Sequence, residues 1–330
     1  MISRLRAPRL FAALLLCFAE LFSGGAQADG PDEILIATGP YGAIYYPLGN
    51  SICRLFNRDI APDAAFCDAR DSKGSVANIA ALRAGKVQFA IVQSDIVVQA
   101  EQGIGAFAGE PAYAGLRVVL LGHGEPFTLM TRPGSGINGI EDLPGHRVSV
   151  GRIGTGQLAT VETLFADLGW TRADFAGLPE MTRDDQVAAL CDGRVDAIAM
   201  LIGHPNGYVQ KAIEACDAKL VPIQGAEIDR IVAKHIEFNP ATIPGGIYPG
   251  HPDPTASFGV VAVLVTDARV PDDVVTGIVS AAFRNVDVLK RLHAAFAGFT
   301  EQNMVPRESW AELHQAAKAY FVERGLLPKP

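Results

Sequence analysis

The chain has 330 residues, of which 49% are apolar and 19% charged, and a formal net charge of −8. That balance supports a packed core, the length is enough for two domains of ordinary size, and a disordered chain is excluded. An acidic surplus without a basic cluster excludes nucleic acid as the expected partner. Residues 1–28 read as a cleavable secretory signal: Arg4, Arg6 and Arg9 precede a short apolar run from Leu10 to Phe22, and Ala26-Gln27-Ala28 is a small-x-small cleavage site. Setting that segment aside leaves a charge of about −10. No later apolar run is long enough to span a bilayer, so an exported chain without direct membrane insertion is expected.

After the signal, the first informative stretch is Thr38 to Gly49. Ile34–Ala37 is a strand, Gly39-Pro40-Tyr41-Gly42-Ala43-Ile44 a glycine-rich turn, and Pro47 to Asn57 an amphipathic helix. Glycine lets a ligand approach the backbone, and a helix start offers unpaired N–H groups and a partial positive charge to a small anion. Tyr45 and Tyr46 place ring hydroxyls at the mouth of the turn or pack as core. A second unit has the turn Asp71-Ser72-Lys73-Gly74, a helix from Ser75 to Ala84 capped by Ser75, and Gly85 as its stop. Val87–Val92 is a strand, and Gln93-Ser94-Asp95 opens the next helix.

Arg117–Leu121 and Phe127–Thr131 read as two strands either side of Gly122-His123-Gly124-Glu125-Pro126, where the chain crosses between domains. The pattern then restarts: strand Val148–Val150, glycine-rich turn Gly151 to Gln157, helix Leu158–Leu168. Ala80 to Val87 is echoed by Ala188 to Val195, the second copy preceded by a cap at Thr182 and followed by strand Ala197–Leu201 and the turn Gly203-His204-Pro205-Asn206. Ile243 to Gly250 is broken by proline and glycine, Val260–Val265 is a strand, and helices follow over Pro271–Asn285, Val288–Phe296 and Ser309–Arg324. Strands alternating with helices predict sheets covered on both faces.

Beyond the signal the cysteines are Cys53, Cys67, Cys191 and Cys216, without C-x-x-C spacing. Pairs Cys53–Cys67 and Cys191–Cys216 each close a short loop within one half; three pairings are open, and so are buried free thiols. Gly151 to Gly156 carries no Walker lysine and reverses the dinucleotide spacing. There is no G-x-S-x-G and no H-E-x-x-H, so no catalytic residues, metal or cofactor are expected. The turns instead concentrate hydrogen-bonding groups: Tyr41, Tyr45, Ser72, Ser75, Asn78, Gln93, Ser94, Thr155, Gln157, His204 and Asn206, with Arg152 as a candidate carboxylate clamp. That inventory suits a small polar anion held between two lobes, and no enzyme chemistry.

Tyr45-Tyr46-Pro47-Leu48-Gly49, Gly74-Ser75-Val76-Ala77-Asn78 and Val92-Gln93-Ser94-Asp95 occur in the order found in a known family. So do Asp142-Leu143-Pro144-Gly145-His146-Arg147-Val148, Gly154-Thr155-Gly156, Gly203-His204-Pro205 and Ile243-Pro244-Gly245-Gly246-Ile247-Tyr248-Pro249-Gly250. Nearly the whole mature chain resembles the TAXI receptors that serve TRAP transporters. The resemblance implies a two-lobed, type II-like periplasmic-binding-protein fold, each lobe a mostly parallel sheet flanked by helices with the ligand cleft between. Lobe 1 is expected over 29–123 plus 259–330, and lobe 2 over 124–258. It implies a periplasmic monomer that hands a glutamate-like or oxo-dicarboxylate acid to TRAP membrane permease subunits; the alternative is an exported sensor acting on a receptor kinase. The ligand-binding set is expected to be Tyr41, Gly42, Tyr45, Ser75, Gln93, Ser94, Arg152, Thr155, Gly156, Gln157, His204 and Tyr248. Ile44, Gln157 and Ile247 stand where the family usually offers threonine, and Ala43 where it usually has glycine, which predicts a carboxylate with a larger or more apolar body.

Overall fold

The computed structural model describes residues 33–60, 65–306 and 310–329; the expected signal segment 1–28 lies outside the described residues. The first half alternates strand and helix: β1 (Glu33–Ala37), α1 (Tyr45–Asp59), β2 (Phe66–Arg70), α2 (Ser75–Arg83), β3 (Phe89–Gln93) and α3 (Ser94–Gln102). A long strand, β4 (Leu116–Thr131), leads to β5 (Val148–Ser149), α4 (Gly156–Asp167), α5 (Arg183–Cys191), β6 (Ala197–Leu201), α6 (Gly207–Cys216), β7 (Lys219–Val221), α7 (Ala226–Lys234) and β8 (Asn239–Ile243). A second long strand, β9 (Thr255–Asp267), returns the chain to α8 (Asp272–Arg284), α9 (Val286–Leu292) and α10 (Gln315–Glu323).

The sheet order is β2-β1-β3-β9-β4-β6-β5, with β7 on β4 and β8 on β9. Pairs β1–β2, β1–β3 and β5–β6 are parallel, whereas β3–β9, β4–β9, β4–β6, β4–β7 and β8–β9 are antiparallel. The sheet is therefore mixed where the strand–helix alternation predicts a mostly parallel one. The cause is the pair β4 and β9, which run antiparallel to each other and serve both lobes. Sequence breakers at Gly122 and Pro126 predict two short strands; the structure keeps one, because register shifts between Val118 and Leu120 and between Leu121 and Gly124 absorb them as bulges. Pro126 pairs with Gly259, where a Cβ would lie 2.7 Å from the Glu125 carbonyl oxygen. Glycine is what lets the two backbones meet there.

Each lobe has core on both faces of its sheet. In the first, Ile52 and Phe56 of α1 join Ile278 of α8 and Phe321 of α10, while Ile79 of α2 joins Ile96 and Val97 of α3 on the other face. In the second, Val161 and Leu164 of α4 join Ile228 and Ile231 of α7, opposite Val187 and Leu190 of α5 with Val209 and Ile213 of α6. β3 and β6 are buried along their whole length, as continuous apolar runs covered on two faces should be. Both echoed helices stop at a glycine with positive φ, Gly85 at 66° and Gly193 at 72°. Disulfides join Cys53 of α1 to Cys67 of β2, and Cys191 of α5 to Cys216 of α6.

Candidate functional site

Two glycine-rich turns and two helix starts face one another across the lobes. In the first lobe, Gly42 has φ 86° and Ile44 stands at the N-cap of α1 without a side-chain acceptor. Gly74, with φ 122°, holds the cap position of α2 in place of Ser75. Ser75 is not the cap: its hydroxyl accepts the Gln93 N–H at 3.2 Å instead, because it is drawn toward the end of β3. In the second lobe, Gly151 and Gly154 take φ values of 96° and 90°, and Thr155 caps α4 by accepting the Leu158 N–H at 3.2 Å. The starts of α2 and α4 touch: the Ala77 N–H donates to the Gly154 carbonyl at 3.2 Å. A Cβ at Gly156 would collide with Gln93 Oε1 and lie 2.8 Å from Ser75 Oγ.

Between these turns lies a cavity of about 290 Å³. Of the residues expected to bind, Tyr41, Tyr45, Ser75, Gln93, Arg152, Thr155, Gly156 and Gln157 line it. Tyr41 is 64% exposed and packs edge-on to Tyr46, ring centres 4.5 Å apart. Gln157 reaches the wall, but its amide is spent inside its own lobe, donating to the Ala199 carbonyl at 2.6 Å and to Gln186 Oε1 at 3.2 Å.

Gly42, Ser94, His204 and Tyr248 are not in the lining. Gly42 lies just behind it, facing the Tyr208 hydroxyl. Ser94 is fully buried and ties the lobes, donating to the Glu237 carbonyl and accepting the Val261 N–H, each at 3.1 Å. His204 and Tyr248 form a strut. The Asn206 N–H donates to the Tyr248 hydroxyl oxygen at 2.7 Å, that hydroxyl faces His204 Nδ1 at 2.7 Å, and His204 Nε2 faces Thr128 Oγ1 at 2.9 Å. Thr128 donates onward to the Pro126 carbonyl, so the chain is complete with Tyr248 donating to Nδ1 and Nε2–H donating to Thr128. Burial pushes the His204 pKa down to about 4, which keeps the ring neutral in that tautomer.

Of the charged lining, Arg152 is expected from its turn, whereas Lys73, Glu125, Arg183 and Asp184 are not among the expected binding residues. Lys73, Glu125, Met181, Arg183, Asp184, Ile202 and Tyr208 also face the cavity. Arg183 follows the Thr182 cap of α5, so the turn is legible but not that its side chain aims inward. Its Nη2 donates to the Leu201 carbonyl at 3.3 Å. Among the described residues, none of Lys73, Arg152 and Arg183 forms a salt bridge within 4.0 Å, whereas Arg132 and Arg147 share Asp196 at 2.8 and 2.7 Å. Glu125 is the buried charge of the lining, 5% exposed. Its Oε2 accepts the Tyr45 hydroxyl at 2.7 Å and its Oε1 is 3.7 Å from His123 Nε2. Burial first, then the Glu125 charge, raises the Tyr45 pKa well above its usual value, so the phenol stays a donor.

The arrangement offers backbone N–H groups at two helix starts, unpaired cations and one buried carboxyl. It is equipped to bind an anion with hydrogen-bond donors of its own. Among the described residues no group of His, Cys, Asp or Glu side chains could hold a metal ion, and no helix is long and apolar enough to cross a membrane.

The fold resembles that of solved binding proteins. PhnD1 from Prochlorococcus marinus, in complex with methylphosphonate, matches with a TM-score of 0.55 at 12% identity, over 90% of this chain and 100% of that one. The alkanesulfonate-binding protein SsuA from Xanthomonas axonopodis pv. citri, bound to MOPS, matches with a TM-score of 0.51 at 17% identity, over 92% and 96%. At such identities the likeness is one of fold: two lobes, each a sheet flanked by helices, as in periplasmic binding proteins. The sequence profile described as the NMT1-like family matches residues 36–325, and the chain belongs to that family.

Proposed function

We propose that the protein is the receptor of a TRAP-type transporter, exported to the periplasm behind residues 1–28, and that it captures a small organic acid and delivers it to a membrane permease without altering it. The lobes are 29–123 with 259–330, and 124–258, and the acid lies between them. One observation carries this reading: Lys73, Arg152 and Arg183 line an interlobe cavity and, among the described residues, none of them forms a salt bridge within 4.0 Å, although Glu125 and Asp184 share the lining. Cations left unpaired at a helix-start cavity suit an anion. Ile44, Met181 and Ile202 in the lining suit a carboxylate that has an apolar body. Glu125 adds a preference: a buried carboxyl stabilises a ligand that brings it an N–H or O–H, and disfavours an acid that brings none.

The methylphosphonate and sulfonate held by PhnD1 and SsuA supply a second reading, import of such an anion by an ABC-type system. The same three cations favour it; Glu125, lining the same cavity, disfavours a phosphonate dianion or a sulfonate, neither of which brings it an N–H or O–H. A thermal-shift panel decides. L-glutamate and L-leucine should raise the melting temperature most, 2-oxoglutarate less, and methylphosphonate, an alkanesulfonate and glucose not at all. Stabilisation by the phosphonate or sulfonate alone would replace the acid reading, and stabilisation by glucose alone would end both.

A further inference from the structure

The contact between the lobes contains a carboxyl that the ligand cavity does not use. Asp95, in the first turn of α3, is fully buried. Its Oδ2 is 2.5 Å from the hydroxyl of Thr160 on α4, which belongs to the other lobe. Its Oδ1 has no hydrogen-bond partner. Thr160 Oγ1 also accepts Gln93 Nε2–H at 3.2 Å and lies 3.0 Å from the Gly156 carbonyl oxygen, and both Gln93 and Gly156 line the cavity.

Thr160 has a single hydroxyl proton for two acceptors, Asp95 and Gly156. With Asp95 ionised, that proton goes to the carboxylate and the Gly156 contact is lost. With Asp95 protonated, the acid donates to Thr160, and Thr160 donates to Gly156. The protonated form therefore satisfies one more bond and removes a buried charge.

We propose that Asp95 is a proton-operated latch: closing the lobes so that α3 meets α4 takes up a proton at this carboxyl, and acidification favours the closed, solute-holding form. This rests on the receptor reading only for what the closed form holds. Burial first, and the nearby Glu237 charge after it, push the Asp95 pKa up to about 7, with the Thr160 bond acting in the opposite direction. Opened to water, the carboxyl has an ordinary value near 3.9. Between roughly 4 and 7 the closed form binds a proton that the open form does not, so closure gains up to about tenfold per pH unit of acidification. The gain is complete below that window and absent above it.

The other charges around Asp95 are committed elsewhere. Glu237 pairs with His235 Nδ1 at 3.1 Å, and His235 Nε2 with Asp167 at 2.5 Å, which raises the His235 pKa. Lys234 also pairs with Asp167. Arg83 of α2 pairs with Glu110, Asp267 of β9 with Arg269, and Glu162 of α4 with Arg172. Glu125 faces the cavity. His235 titrates in the same direction within one lobe, so the variant at position 95 is what isolates the latch.

Small-angle scattering of the solute-free protein between pH 8.5 and 5.5 tests it. The radius of gyration should fall with pH in the wild type and stay constant in Asp95→Asn. Calorimetry with L-glutamate should show a Kd that falls several-fold per pH unit from 7.5 to 5.5, with proton uptake that Asp95→Asn abolishes. A radius independent of pH in the wild type, or an Asp95→Asn protein with the wild-type slope, overturns the latch. Compaction with no binding of L-glutamate at any pH leaves the latch standing and counts against the acid reading instead.

Discussion

In the proposed receptor, ligand choice turns on Arg183 and Glu125, which both line the cavity. Arg183→Ala should weaken binding of L-glutamate by tenfold or more, since a charge-assisted hydrogen bond contributes about 1.5–3 kcal/mol. Glu125→Gln should narrow the gap between L-glutamate and 2-oxoglutarate, which calorimetry reads directly; an unchanged gap would remove Glu125 from the ligand's contacts. His204 and Tyr248 behave differently, because their polar atoms are spent on one another and on Asn206 and Thr128. Tyr248→Phe should cost about 1–2 kcal/mol of stability, the loss of a buried acceptor for the Asn206 N–H, and leave solute affinity alone. The neutral His204 carries a pH signature as well. Its pKa is lowered to about 4 in the fold, so its contribution is full above the unfolded value near 6.5 and is lost as pH falls toward 4. Denaturant unfolding of wild type against His204→Asn across that range checks the sign.

At the scale of elements, the start of α4 is the tightest fit. Gly156→Ala is compatible with a helix, but its Cβ would drive Gln93 off Thr160 and crowd Ser75. Overpacking of that kind costs about 1–3 kcal/mol, and here it falls on the closed form, so solute affinity should drop while the melting temperature of the solute-free protein changes little. Much of this level is legible in the sequence. The glycine-rich turns at Gly39–Gly42 and Gly151–Gly156, and the matching helix–glycine–strand units ending at Gly85 and Gly193, follow from local chemistry. The illegible parts depend on distance in the chain. β4 reads as two strands because its bulges are stabilised by β9, more than a hundred residues away. Between Asn206 and Ile243 four elements are missing from the expected order: α6 and α7, whose apolar residues do recur at helical spacing, and β8, an edge strand containing Pro240, with β7, of three residues, both too short and mixed to show a period. Eight of the expected binding residues line the cavity because they sit on turns that carry their own signals. Arg183 and Glu125 escape because a charge in a turn reads as solvated until a second lobe is placed opposite it.

For the whole molecule, each half carries its own staple. The Cys191–Cys216 bridge closes a loop with a sequence separation of 25, and removing it with a double alanine variant should cost about 3 kcal/mol, read as a lower denaturation midpoint in the oxidised protein. Stability of a lobe and closure of two lobes are separate properties. The first rests on four core clusters with helices on both sheet faces; the second rests on Gly156, Gln93, Thr160, Asp95 and Ser94, where the lobes touch. The central claim is that the space between them holds an organic acid. Mass spectrometry of the solute released by denaturing the purified protein tests it most directly. An organic acid carrying an amino or hydroxyl group, at one per chain, is the predicted result; a neutral sugar or a cation at that stoichiometry would contradict it.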